Sequence, residues 1–206
     1  MQFLGFVASD PAELLRIHQE ALDCGRRGGD DMLAASALSH LFSLSLQLGR
    51  LDESSGYLEE STRLFEELGG NLLTYLARCN LALLRLLQGR PAQAAPLVRT
   101  CLLLRRRLGP GVPGGEILFA AACCASFAGD LDRAARLHGA GDKEIAASLE
   151  NRSINWPDAE QQLRERDQGR LRELLGEPAY AGAYQAGAKL SLEQALDLAL
   201  GRDPVG

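Results

Sequence analysis

Gly89-Arg90-Pro91-Ala92 opens the stretch that decides the fold, and Ala128-Gly129-Asp130 closes it. The residues between them are predicted to form helices that pair as a hairpin, because proline favours the first turn of a helix and glycine its end. Gly49 stands forty residues before Gly89, and Ser9-Asp10-Pro11 gives a further helix start forty residues earlier. Turn signals at equal spacing predict a repeat array, since periods of this size are typical of helical solenoids.

The predicted fold is all-α, with antiparallel helical hairpins in a single helical-repeat domain over residues 1–206. The repeat units are expected at 9–48, 49–88, 89–128 and 129–150, and capping helices at 156–201. Asp52 is expected to cap the third helix, and Ser191-Leu192-Glu193-Gln194 has the pattern of a capping box.

Small residues recur at fixed distances from the turn signals. Ala94 and Ala134 both lie five residues after a turn glycine, where they are predicted to let helices approach closely. Larger side chains recur eight residues after each signal and are predicted to fill the space between helices: Ile17, Tyr57, Leu97 and Leu137.

Composition excludes several classes of protein. The net charge of −5 argues against a dedicated nucleic-acid surface, which needs a basic face. No apolar run is long enough to span a membrane. The five cysteines form no Cys-x-x-Cys pair, which predicts free, metal-free thiols in a reducing compartment and therefore a cytoplasmic protein.

Motifs that carry catalysis are absent from the sequence. It contains no phosphate-binding loop, no Gly-x-Ser-x-Gly and no His-Glu-x-x-His. His18 and His138 occupy the same repeat register, which predicts a packing role for both. We therefore expect no enzymatic activity, and no catalytic, cofactor-binding or metal site.

Several segments resemble a known family. A small residue after each turn and Leu48-Gly49-Arg50 at the turn are similar to a tetratricopeptide-type repeat with a longer period. The closing segments 129–140, 156–158, 174–180 and 187–195 follow an order that resembles the C-terminal repeat region of large bacterial LuxR-family transcriptional regulators and related signal-transduction ATPases. The resemblance covers about residues 30–200 and implies a tetratricopeptide-like superhelix used for sensing or self-association.

The same resemblance implies a binding surface. In stacked hairpins the first helix of each pair lines the concave side, and the hairpins are expected at 31–68, 71–108 and 116–149. The implied concave residues are Ser36, Ser39, Ser43, Leu76, Cys79, Leu83, Glu116, Phe119 and Cys123. A groove of this kind suits a protein or peptide partner, a neighbouring copy or a small-molecule effector. Alternatively, the C-terminal helices fold back and fill it.

The predicted function is a non-catalytic helical-repeat module for protein–protein interaction or ligand sensing within a bacterial transcriptional regulator. It makes no direct contact with nucleic acid or membrane. The alternative is a free-standing tetratricopeptide-like adaptor or scaffold protein unrelated to transcription.

Overall fold

The computed structural model describes residues 10–69, 71–109, 111–147 and 157–202. In this part of the chain all regular structure is α-helical, which confirms the predicted fold class. The ten helices are α1 Pro11–Gly28, α2 Asp31–Gln47, α3 Leu51–Glu67, α4 Asn71–Leu87, α5 Pro91–Leu108, α6 Gly115–Phe127, α7 Leu131–Ala147, α8 Pro157–Leu175, α9 Glu177–Ala188 and α10 Leu192–Ala199. None of these helices combines the length and apolar character needed to cross a bilayer.

The helices belong to two compact units. Unit 1 is Met1–Gly70 and contains α1 to α3, and unit 2 is Asn71–Gly206 and contains α4 to α10. Neighbouring helices pack largely as antiparallel pairs, with α2 against α3 in unit 1, and α4 against α5 and α6 against α7 in unit 2. This packing is consistent with helical repeats, whereas a single repeat domain over 1–206 stays a prediction.

Glycine turns separate the helices at half of the predicted period. Glycines with left-handed φ occur at positions 29, 49, 69, 89, 109 and 129. After Gly49 the Arg50 N–H donates to the Ser45 carbonyl at 2.9 Å, and after Gly89 the Arg90 N–H donates to the Arg85 carbonyl at 2.8 Å. These bonds satisfy the last carbonyl groups of the helix and stop it at the turn. The forty-residue spacing in the sequence is therefore two helices, each with its own glycine.

The predicted caps have different outcomes. Ser191 and Gln194 form the predicted capping box at the start of α10. The prediction for Asp52 is wrong, because α3 begins at Leu51 and its N-cap residue is Arg50. Asp52 lies within the first turn, where a carboxylate is stabilised by the positive end of the helix dipole.

The small-residue register is confirmed at Ala94 and Ala134, which are fully buried. The prediction that the larger residues fill interhelical space holds at Leu137 and is wrong at Ile17, which is 44% exposed. Ile17 lies on α1, which packs chiefly against α2 among the described residues, and the rest of its surface has no extensive contact with another described helix.

The backbones of α7 and α9 nearly touch through glycine. A Cβ atom on Gly139 of α7 would overlap the Tyr184 carbonyl of α9, and one on Gly187 of α9 would overlap the Arg136 carbonyl of α7. The glycines that weaken α7 as an isolated helix are therefore required for its packing.

Replacing Gly187 with alanine is expected to lower the free energy of unfolding by about 1–3 kcal/mol, toward the upper end, because the obstructing atoms are backbone. The matched control is Gly182→Ala on the same helix, where nothing lies within 4 Å of an added Cβ. That change should stabilise the protein by about 0.5–1 kcal/mol through helix propensity. Urea melts of both variants measure the difference, and equal melts would contradict the close α7–α9 contact.

Ala94→Leu is expected to cost about 1–3 kcal/mol of stability, because it adds volume at a fully buried position of α5. Ala95→Leu makes the same chemical change at the next, exposed residue and should shift stability by about 0.5 kcal/mol or less. Chemical denaturation followed by circular dichroism compares the two. If the Ala94→Leu variant unfolds at the same denaturant concentration as wild type, the packing register is misassigned.

Candidate functional site

Helix α8 lies against the helices that the sequence places on the concave side of unit 2. It packs against α4, α6, α7 and α9. Helices α4 and α6 are the first helices of their hairpins. A C-terminal helix of the chain itself therefore occupies this face, as in the alternative that the sequence left open.

Two predicted surface residues of α6 lie beneath α8. Phe119 is buried, and the Arg164 guanidinium lies 5.2 Å from the centre of its ring. Cys123 is also buried and lies beside the Asp167 carboxylate of α8. Glu116, one turn before Phe119, is half-buried. The face that the sequence predicted as an open surface is thus an interface between α6 and α8.

Of the three residues of α4 that the sequence predicted to line the binding surface, two are buried. Leu83 and Cys79 are buried, and Leu76 is half-buried. Burial raises the pKa of the Cys79 thiol well above its usual range, and the neighbouring Cys101 thiol of α5 adds to the effect. Only Leu76 of these three keeps appreciable exposure.

The three predicted serines belong to unit 1. Ser36, Ser39 and Ser43 lie on α2 and are half-buried. The Ser39 hydroxyl lies 2.8 Å from the Ser61 hydroxyl of α3 and donates to the Ala35 carbonyl at 3.1 Å. Ser39 therefore joins α2 to α3, and a continuous concave surface through all nine residues stays a prediction.

A buried polar network is the most distinctive chemical feature of unit 2. The Ser126 hydroxyl of α6 donates to Asp167 Oδ1 at 2.7 Å. His138 Nε2 of α7 donates to Asp167 Oδ2 at 2.8 Å. Ser126, His138 and Asp167 are 0%, 1% and 5% exposed. Each carboxylate oxygen thus has a donor from a different helix, and burying a charge of this kind requires such partners.

The hydrogen bond to Asp167 shows which ring nitrogen of His138 is the donor. Because a carboxylate only accepts hydrogen bonds, Nε2 must carry the proton. His138 Nδ1 is buried without a hydrogen-bond partner among the described residues. Arg170 donates to the Ser126 hydroxyl at 3.2 Å and lies near its carbonyl, so its positive charge sits close to the network at the C-terminal end of α6.

Cys123, His138 and Asp167 also form a possible set of metal ligands. One ligand atom from each lies within 4.8 Å of the others. The carboxylate already accepts two hydrogen bonds, and burial together with the Asp167 charge raises the pKa of the Cys123 thiol well above its usual range. A metal ion would have to displace those protons. The arrangement favours a hydrogen-bonded network that recognises a carboxylate.

Asp142 of α7 forms a second polar contact with α8. It pairs with Arg164 at 3.2 Å and accepts from Gln168 at 3.1 Å. The Tyr184 hydroxyl of α9 donates to the same carboxylate at 2.8 Å. Burial raises the pKa of Tyr184, and the bond to Asp142 adds to this shift because it favours the protonated hydroxyl.

Sequence reasoning missed Asp167 and assigned His138 to packing alone. Asp167 lies in a charged run, Glu165-Arg166-Asp167, which is typical of a solvated helix face. The usable signal was the four-residue spacing of Leu163, Asp167 and Leu171, which places the carboxylate on the apolar face.

Comparison with known proteins identifies no family. A scan against models of protein families finds no match for this chain, and a search of curated proteins finds none either.

The thiols are expected to differ in reactivity according to burial. Cys24 is exposed, whereas Cys79, Cys101 and Cys123 are buried, and Cys124 is half-buried with its pKa raised to about 11, mainly by burial. At pH 8 an aromatic disulfide reagent should modify Cys24 first, because its thiol is exposed whereas burial disfavours the reactive thiolate of Cys124. Mass spectrometry of native and urea-unfolded protein reads out the order.

The same native mass spectra are expected to show no bound zinc. Stoichiometric zinc that is lost on Cys123→Ser would contradict the assignment of a hydrogen-bonded network. Rapid modification of Cys123 in the native protein would contradict its burial under α8.

Proposed function

We propose that the chain is a non-catalytic helical-repeat module that binds a helical segment of a protein partner on the concave face of its repeats. The observation that carries the proposal is the position of α8, a helix seated against α4, α6 and α7. Helix-in-groove binding uses this geometry, with apolar residues at helical spacing as anchors. Leu163 and Leu171 are the anchors in α8, and both are buried.

The chemistry of the buried network supports a binding role over a catalytic one. The Ser126 hydroxyl donates to a carboxylate instead of to His138, so the serine–histidine hydrogen bond of a Ser-His nucleophile is not formed. Burial and the Asp167 charge keep the Cys123 pKa high, which disfavours the thiolate. These side chains are organised to hold Asp167.

The proposal extends to a regulator because of the sequence resemblance. The order of the closing segments in residues 129–195 resembles the repeat region of LuxR-family regulators and related signal-transduction ATPases. In this setting the module is a cytoplasmic, tetratricopeptide-like part that senses a partner or joins copies of the regulator. A phosphate-loop ATPase or a helix-turn-helix encoded in the same gene is expected. A gene that encodes this chain alone would favour the free-standing adaptor.

Selection of a displayed library of helical peptides on the full chain tests the binding role. Enriched peptides should bind wild type and lose binding to Leu76→Arg, because Leu76 is half-buried on α4, a helix of the proposed groove. The matched control is Leu103→Arg on α5, where an exposed leucine receives the same charge. No enrichment, or peptides indifferent to Leu76→Arg, would refute the proposed groove.

A further inference from the structure

Ser126 and His138 form a site for one carboxylate, the carboxylate receptor, on the surface that α8 covers. Ser126 and His138 come from two different helices, α6 and α7, and each donates to one oxygen of Asp167. Both donors are buried in the body of unit 2. A site with two fixed donors rejects a side chain that cannot accept both bonds, because its buried polar groups would then lack partners.

The α8 interface is rich in polar and charged contacts. Asp167 and Glu160 are buried charged residues of α8, and Arg164 of α8 pairs with Asp142 of α7 at 3.2 Å. The large apolar residues that α8 buries are Leu163 and Leu171. Water can replace polar contacts of this kind when the helix leaves, so the interface is more easily reopened than an apolar core.

Helix α9 does not depend on α8 for its place in unit 2. It packs directly and extensively on α7. The contact runs through Gly139 and Gly187, which bring the two backbones together. Lys143 of α7 also donates to the Leu190 carbonyl at 2.7 Å, just after α9. Helix α10 is held separately by the Arg106–Asp197 pair at 2.7 Å. If α8 detaches, α9 loses the contact between Tyr180 and Arg172 of α8 but keeps its contacts with α7, and α10 keeps its contacts with α5 and α7.

Gly169 weakens α8 at its centre. Nothing lies within 4 Å of the position where a Cβ on Gly169 would stand, so packing does not require glycine there. Glycine in a helix interior favours the unfolded segment relative to alanine. Gly169 thus lowers the stability of α8, the helix that covers the carboxylate receptor among the described residues.

We infer that α8 is an internal, exchangeable ligand of the groove formed by α4, α6 and α7, and that a partner helix displaces it by placing its own carboxylate on Ser126 and His138. The inference rests on the proposed helix-binding function and specifies its site and its regulation. Until a partner arrives, α8 keeps the groove closed.

The contacts of α8 also define the partner. Residues 163–171 read Leu-Arg-x-x-Asp-x-x-Arg-Leu. The leucines are the buried anchors, and the aspartate fills the receptor. The Arg164 guanidinium lies over the Phe119 ring at 5.2 Å, and that of Arg170 lies over the Phe127 ring at 5.5 Å. The partner is therefore an amphipathic helix of another protein with a central carboxylate flanked by arginines and leucines.

Hydrogen exchange on the unaltered full chain tests the exchangeable helix. The α8 amides should exchange earlier than those of α7 and α9, because α8 opens without the rest of unit 2. Gly169→Ala should slow α8 exchange about fourfold by raising helix propensity, and leave α7 and α9 unchanged. Exchange of α7, α8 and α9 as one cooperative unit would overturn the inference.

Peptide binding tests the carboxylate receptor. The probe is a fluorescent peptide of residues 157–175, offered to the full chain carrying Asp167→Asn, whose own α8 lacks the carboxylate. The wild-type peptide should bind at least about tenfold more tightly than the same peptide with Asp167→Asn. A peptide with Glu173→Gln, which removes a charge from the exposed face, should bind like wild type. Equal binding of all three peptides, or no binding, would overturn the inference.

The two experiments separate the possible failures. If Asp167→Asn does not fold, as judged by circular dichroism, the exchange experiment on wild type and Gly169→Ala decides alone. Suppose that α8 opens on its own and its peptide binds, but the displayed library yields no enriched partner. In that case the inference that α8 is an internal ligand stands, and the proposed binding of other proteins fails. If library peptides bind, but the amides of α7, α8 and α9 undergo hydrogen exchange as one cooperative unit, the proposed function stands and the inference that α8 is an internal ligand fails.

Discussion

The close approach of α7 to its neighbours is the constraint on which unit 2 depends. Gly141 lies against the backbone of α6 at Gly115 and Phe119, and Gly139 lies against the backbone of α9. At Gly139 the α9 backbone leaves no room for a side chain, and at Gly141 an added Cβ would require α6 to shift by a few tenths of an ångström. The small residues therefore favour one register over alternatives. Because α7 contacts α6, α8, α9 and α10, it sets the position of both the hairpin and the C-terminal helices.

Two kinds of interface hold the C-terminal helices α8 and α9 against α7. The α7–α9 interface includes backbone-to-backbone contact at glycine, which tolerates no added atom. The α8 interface combines two buried leucines with hydrogen bonds to Asp167 and Asp142. Directional bonds specify which helix fits, whereas their net contribution to stability is modest because water offers the same bonds to the separated groups. The proposed binding role would require this combination of specificity and reversibility.

The buried network also illustrates how position changes the role of a side chain. Ser126, His138 and Asp167 are residue types found together in hydrolases, but here both donors meet at the carboxylate. The Ser126 hydroxyl donates to Asp167 and not to His138, unlike a serine nucleophile that donates to its histidine base. Cys123 is held as a thiol because burial and the same carboxylate raise its pKa. The cluster therefore holds a helix in place by its hydrogen bonds.

The sequence by itself determined the helical class, the glycine turns and their spacing, and the Ser191 capping box, because these depend on local backbone preferences and neighbouring residues. It also located the small buried positions at Ala94 and Ala134 from their common register. Only the tertiary structure decided that α8 covers Phe119 and Cys123, and that Asp167 meets Ser126 and His138. These contacts join residues about thirty to fifty positions apart. The helical spacing of Leu163, Asp167 and Leu171 places the carboxylate on the apolar face of α8, but it does not say which distant residues donate to it.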